Sequence, residues 1–226
     1  MLAGVVTGLL HTKMKIPALL AGILTMIALY SVNLRIMGKA NLSLLGVDTT
    51  FKIAKSALDL SMAQTTLVVG LAVTLIVGFF MYWFFGTQIG AAIRATGFNQ
   101  QMIRAQGVDT DITIILGLLL SNGLVAVSGA LVAQSNGFSD VGMGTGTIVI
   151  GLASVIIGEV LFGTRSFKNC LISVVLGSIV YRIVIAAVLA MGMPPNDLKL
   201  FTSVLVALAL SMPLIKAKMG GRKAVR

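Results

Sequence analysis

The chain has 226 residues, 57% of them hydrophobic and only 11% charged, and its mean hydropathy is +1.02. Soluble domains are about 45–50% apolar and about 25% charged, so this composition excludes an ordinary water-soluble globule. It also excludes a disordered chain, which needs low hydrophobicity and high charge. A net charge of +10 would suggest nucleic acid in a soluble protein. In a membrane protein it first asks which side of the bilayer carries it. Cys170 is the single cysteine and His11 the single histidine. That removes an intrachain disulfide, cysteine clusters for zinc or iron–sulfur, and histidine-based metal sites or triads.

Residues 1–10 (MLAGVVTGLL) are apolar but too short to span. They lack a basic n-region and a following A-x-A-like site, so they are not a secretory signal peptide. They read as the last half of a helix whose first half is missing, or as an interfacial segment. A spanning helix needs about 20 mostly apolar residues. Six segments meet or approach that length: 16–37, 65–86, 112–134, 143–163, 169–191 and 199–215. An open sheet is excluded in lipid because its edge groups go unsatisfied, and a barrel would show alternating strands of about 10 residues. The expected fold is therefore all-α and polytopic, with about six spanning helices plus a partial N-terminal one. It forms a single transmembrane domain over 1–226.

Basic residues sort the loops into two sets. Lys13, Lys15, Arg94, Arg104, Arg165, Lys168, Lys216, Lys218, Arg222, Lys223 and Arg226 lie on one side. Lys39, Lys52, Lys55 and Lys199 lie on the other, while Arg35 and Arg182 fall within spans. The positive-inside rule then places 11–15, 87–111, 164–168 and the basic tail 216–226 in the cytoplasm, where the tail suits an anionic leaflet. No nucleic-acid partner is expected.

The connection 87–111 is the most informative loop. Ile89, Ala92 and Ile93 share a helical face. Gly97 and Asn99 are expected to punctuate that helix. A second short helix is expected to start at Asn99 as N-cap and end at Gly107 as C-cap. Helix, tight turn and helix would form a rigid knuckle able to pass force between a bundle and a soluble partner. A plain amphipathic connector is the alternative.

Two stretches carry a resemblance. Gly90-x-x-x-Arg94-Ala95-x-Gly97-x-Asn99, followed by Arg104-x-x-Gly107, resembles the coupling loop of permeases in bacterial ABC importers of the branched-chain amino acid and ribose transporter superfamily. LSNGLVAVSGALVAQSNGF and GMGTGTIVIGLASVIIGEVLFGTRS also resemble that superfamily. The resemblance implies that the loop docks into a cleft of a cytoplasmic ABC ATPase. It further implies an extracytoplasmic solute-binding protein, a second permease copy or paralogue, and a plasma (inner) membrane location with a cytoplasmic C-terminus. Such permeases usually have more spans near the N-terminus, which fits an N-terminally shortened chain.

The chain holds no ATPase of its own. A P-loop needs G-x-x-x-x-G-K-[ST], but Gly38-Lys39 is followed by Ala40 and has Asn33 where the first glycine belongs. No cofactor is expected in this chain; ATP and magnesium would sit on the partner ATPase.

Gly142, Gly144, Gly146 and Gly151 interrupt the chain where it re-enters from the outer side. Broken helix ends near a transport path expose dipole ends and carbonyls to a substrate, so this segment is the candidate pathway lining. Close packing of small residues is the competing explanation, as at the four-residue spacings Gly4/Gly8 and Gly86/Gly90. Dinucleotide spacing G-x-G-x-x-G is absent.

Ionisable residues within spans are functional candidates by default. Arg182 is equally a substrate-carboxylate contact and a structural ion pair. Glu159 is expected to pair with Arg165 or Lys168, and Arg35 to snorkel. Gln134, Ser135 and Asn136 offer donors near the outer mouth, although capping explains them equally. In the long loop 38–64, TFKIAKSALDLSMA places Ile53, Ala57, Leu60 and Ala54, Leu58 near one helical face, for an interfacial or partner-contact helix.

Three function classes follow. An ATP-driven importer subunit would move a small solute, an amino acid for preference, inward by alternating access. A self-sufficient secondary transporter needs mid-membrane carboxylates, and only Glu159 lies in a span, off centre. An intramembrane enzyme lacks a zinc motif, a histidine for a nucleophile and paired carboxylates.

Overall fold

The computed structural model describes residues 1–59, 61–144, 147–164 and 166–192, with 197, 200, 201, 203, 204, 207 and 211 beyond them. The described chain is helical apart from one pair of three-residue strands, and it divides into two compact units, Met1–Met143 and Gly144–Arg226.

The first unit begins with α1 (Leu2–Thr12) and α2 (Ala18–Met37). Pro17 opens α2, where a missing N–H costs nothing. Gly38 closes it at φ +67°, its N–H bonding the Leu34 carbonyl at 3.0 Å. Strand β1 (Asn41–Ser43) and the amphipathic α3 (Thr50–Leu58) follow. Helix α4 (Met62–Gly86) runs 25 residues from a capping box of Ser61 and Gln64, which satisfies two end donors reciprocally. The short helices α5 (Gln88–Phe98) and α6 (Gln100–Ala105) lead into α7 (Thr110–Asn136) and strand β2 (Phe138–Asp140).

Small residues set the contact between α1 and α7. A Cβ on Gly4 would meet the Leu118 carbonyl and lie 2.9 Å from the Leu119 Cα. One on Gly8 would lie 2.8 Å from Ile115 Cγ1. The backbones therefore touch where lipid offers no hydrophobic drive for helix association. Across the other face of α1, Thr7 donates to Thr25 Oγ1 at 2.8 Å, and Thr25 donates to the Ala21 carbonyl at 2.9 Å. Both hydroxyls are buried and satisfied.

At one end of this unit, β1 and β2 pair antiparallel with Asn41 opposite Asp140, Leu42 opposite Ser139 and Ser43 opposite Phe138. The ladder extends through Leu44 N–H to the Gly137 carbonyl and Val141 N–H to the Ala40 carbonyl. Thr50 N–H donates to Gln134 Oε1 at 2.9 Å, which ties α3 to the end of α7. Gln134 thus has a structural task at this hairpin end. The opposite, basic end holds the α1–α2 turn, α5, α6 and the start of α7.

The second unit contains α8 (Thr147–Phe162) and α9 (Phe167–Ala190). Gly158 and Gly177 face one another: a Cβ on Gly158 would collide with the Ser173 carbonyl, and one on Gly177 with the Ser154 carbonyl and, at 2.6 Å, the Gly158 Cα. Ser173 is fully buried and donates to the Gly163 carbonyl at 2.8 Å. Ala153 and Tyr181 form the buried apolar contact above, flanked by Ile157 and Ile185.

Among the described residues four helices, α2, α4, α7 and α9, are long and apolar enough to cross a membrane. They match four expected spans within about three residues, the usual boundary uncertainty. The fifth, expected over 143–163, is a helix of only 16 residues, shorter than the roughly 20 that a bilayer requires. Its glycine-rich first part (142–144) is turn, not helix. The span 199–215 lies mostly outside the described residues, and Gly146, Arg165 and the tail 216–226 lie wholly outside them. The fold is an all-α, polytopic membrane fold.

Candidate functional site

The basic end of the first unit carries the helix–turn–helix of 87–111, and each turn in it has a local cause. Thr87 caps α5 by accepting from Gly90 N–H at 3.3 Å, and its hydroxyl donates to the Phe84 carbonyl at 2.6 Å. Gly90 is buried where a Cβ would strike the Phe84 carbonyl and come within 2.5 Å of the Phe85 Cα. Only glycine lets α5 fold this tightly across the end of α4.

Helix α5 then lies along α7. Thr96 and Thr113 share a hydrogen bond at 2.9 Å between buried hydroxyls, and Ile93 reaches the gap at Gly117. The helix ends at Asn99, in an extended conformation, whose N–H bonds the Ala95 carbonyl at 3.0 Å. Asn99 also starts α6, its side chain accepting from Met102 N–H at 3.1 Å. Ile103 is buried beneath α6. Gly107 turns the chain at φ +84° into α7, where Asp109 accepts from Asp111 N–H at 2.8 Å as N-cap.

The expected residues thus fall into different physical roles. Gly90, Asn99 and Gly107 shape turns, and Ala95 supplies a capping carbonyl. Gly97 does not break the helix: it sits inside α5, exposed, with open space where a Cβ would go. The break comes two residues later because the Asn99 side chain can cap and glycine cannot. Arg94 is exposed on α5, and Arg104 folds back towards α7.

Phe98 and Met102, which carry no turn or charge signal in the sequence, stand on the outer surface of the knuckle with Ile89. Phe98 is 88% exposed, and Ile89 and Met102 are also exposed. Phe98 thus stands as a large apolar side chain at the capped turn between α5 and α6. The available signal was a large aromatic between Gly97 and Asn99, the one aromatic residue of the loop 87–111.

Each described candidate pathway residue has its own local setting. Gly142 N–H donates to Asp140 Oδ1 at 2.7 Å, and its missing Cβ leaves room for that turn. The Gly144 carbonyl accepts from Thr147 Oγ1 at 2.7 Å, before the first turn of α8. Gly151 lies on α8 facing open space, and Arg182 is exposed on α9 beside the buried Tyr181. Glu159 is exposed near the end of α8. Among the described residues, no group of three His, Cys, Asp or Glu could hold a metal ion.

The family described as branched-chain amino acid transport system permease component matches residues 1–211. The chain belongs to that family. This permease is 43% identical over 204 residues to the tyrosine transport system permease protein of Clostridioides difficile (strain R20291), covering 90% of the chain and 66% of that relative. It is 32% identical over 212 residues to the uncharacterized protein RP368 of Rickettsia prowazekii (strain Madrid E), covering 92% of the chain and 73% of that relative. The permease therefore spans about two thirds of the length of the first relative. No solved structure matches it. Family and apolar helices together make it a multi-pass membrane protein and a component of a transport system.

Proposed function

We propose that the permease is the membrane-spanning subunit of an ATP-binding cassette importer, moving an amino acid inward by alternating access while a separate ATPase subunit supplies the energy. The observation that carries this reading is the knuckle. Its outer surface presents Phe98, Met102, Ile89 and Arg94, and its inner surface is fastened to α7 by the Thr96–Thr113 hydrogen bond and by Ile93 against Gly117. A load applied at Phe98 reaches α7 directly, because the two helices are bonded where they meet.

In this mechanism the coupling residues are Gly90, Arg94, Ala95, Gly97, Asn99, Arg104 and Gly107, to which Phe98 is added. The knuckle end is cytoplasmic, in keeping with the basic bias of its loops, and the C-terminus lies on the same side. ATP and magnesium bind the partner subunits. A solute-binding protein delivers substrate at the hairpin end, and a second permease copy or paralogue completes the pathway. Gly142, Gly144, Gly146, Gly151 and Arg182 remain the candidate pathway residues. The tyrosine transport name of the relative supports an amino-acid substrate.

The test is purification of the tagged permease from native membranes in mild detergent. A stoichiometric subunit carrying a P-loop, with Mg-ATP hydrolysis in the complex, is expected. Phe98→Asp, which places a charge where an apolar pocket must close, should lower its recovery at least about tenfold. A permease that purifies without any ATPase, or a Phe98→Asp variant that retains one fully, refutes the reading.

A further inference from the structure

Asp111 lies where three segments of the basic end meet. Its Oδ1 is 3.3 Å from Arg104 Nη2, at the last turn of α6, and its Oδ2 is 3.6 Å from Lys13 Nζ, at the end of α1. Asp111 itself stands in the first turn of α7, the end at which a carboxylate is favoured by the helix dipole. Arg104 Nε also donates to Thr110 Oγ1, and Thr110 is almost fully buried. The Lys13 turn is in its own right firmly built, with His11 Nδ1 and the Ile16 carbonyl 2.8 Å apart and Lys13 N–H bonded to the Leu9 carbonyl.

One carboxylate therefore holds the knuckle, the start of α7 and the α1–α2 turn. As stabilising contacts these pairs count for little, because the side chains of Lys13 and Arg104 are more than half exposed. Their value is geometric. A guanidinium forked onto Thr110 and Asp111 fixes direction as well as distance, and the Lys13 tie extends that fixed point to α2.

We infer that Asp111 is a positioning residue that divides displacement of the knuckle between α7 and the α1–α2 pair, so that both move with it. This rests on the importer reading and adds to it the route by which motion enters the bundle. Without Asp111, the knuckle still pulls α7 through Thr96 and Thr113 and α1 still packs on α7 at Gly4 and Gly8, but the α1–α2 turn loses its direct tie to the knuckle.

Spin-label distances in the ATPase-bound permease, in nanodiscs and in a Cys170→Ser background, test this. One label pair, Gln101→Cys with Lys15→Cys, reads the clamp. A second, Lys39→Cys with Met62→Cys, reads whether the hairpin end responds to Mg-ATP. Asp111→Asn is expected to broaden the first distribution and to reduce the ATP-driven shift in the second about tenfold, while hydrolysis continues. Asp111→Glu should restore both. An unchanged first distribution, or an unchanged ATP-driven shift, overturns the inference. Should Asp111→Asn fail to assemble, Lys13→Gln, which removes only the tie to the α1–α2 turn and leaves Arg104 on Asp111, carries the same comparison. A wild-type complex that hydrolyses no ATP overturns the importer reading instead, and the first label pair still decides whether the clamp exists.

Discussion

Replacing Gly177 with alanine tests how closely α8 and α9 must approach. The added Cβ lands on the Ser154 carbonyl and 2.6 Å from both the Gly158 Cα and the Gly158 N. All three are backbone atoms, so no side chain can rotate away. The helices must part by roughly 1 Å to regain an ordinary contact of about 3.5 Å. A gap of that size forfeits a quarter to a half of each contact well of about 0.1–0.2 kcal/mol. Over roughly 40 atom pairs, the loss is about 1–4 kcal/mol. Alanine returns about 1 kcal/mol through helix propensity, which leaves a net cost of up to about 3 kcal/mol. That corresponds to a drop of several degrees, at about 2–4 °C per kcal/mol for a chain of this size.

Cys170 supplies the assay, since it is partly buried on α9 and is the single thiol of the chain. Its reaction with a fluorogenic maleimide during a thermal ramp reports opening of this helix pair. Gly151→Ala, on the same α8 but with open space at the Cβ, is the control and should leave the midpoint unchanged or slightly raised. If Gly177→Ala melts with the wild type, the close approach is not what holds the pair together.

Three further outcomes are expected in the first unit. Gly90→Val should disrupt the α4–α5 turn at a cost of at least 1–3 kcal/mol, as overpacking against backbone typically does, and should expose Thr87 to Phe98 to limited proteolysis; an unaltered cleavage pattern would contradict this. Thr96→Val removes one hydroxyl from the buried pair. Because Thr113 keeps its bond to the Thr110 carbonyl, the loss should be about 1 kcal/mol, read as faster hydrogen exchange in α5 but not in α4. Asn99→Ala deletes the α6 cap at about 1 kcal/mol, and should fray α6 in the same exchange measurement while α5 holds.

Much of this fold was legible because lipid imposes a simple rule. Long apolar runs must be helices, and 16–37, 65–86, 112–134 and 169–191 are α2, α4, α7 and α9. The cap at Asn99 and the turn at Gly107 were equally legible, since both follow from local side-chain chemistry. Gly97 shows the limit of that reasoning: glycine permits a break but does not compel one, and the neighbouring asparagine determined where it came. Gly86 was grouped with Gly90 by spacing, yet only Gly90 has backbone against it. Distant pairings were beyond reach. Nothing local in Lys13, Arg104 and Asp111 reveals that they meet, and strands of three residues are too short to show a period of two. The candidate site was legible as a loop, while the exposure of Phe98 was not, because nothing local in the sequence says which way an aromatic beside a turn will face.

The strand pair at the hairpin end sets a condition on how the first unit can move. Roughly 95 residues lie between Ser43 and Phe138, and closing a loop of that length costs on the order of 4 kcal/mol, more than three residue pairs can repay alone. The ladder exists because the helices deliver its strands side by side, and it then acts as a clasp between the end of α2 and the end of α7. Such a clasp has no half-open register. Slipping by one residue, about 3.4 Å, turns every side chain to the opposite face. The ends of α2 and α7 can therefore pivot about this point with the ladder intact, whereas sliding past one another would break its pairs between Asn41–Ser43 and Phe138–Asp140.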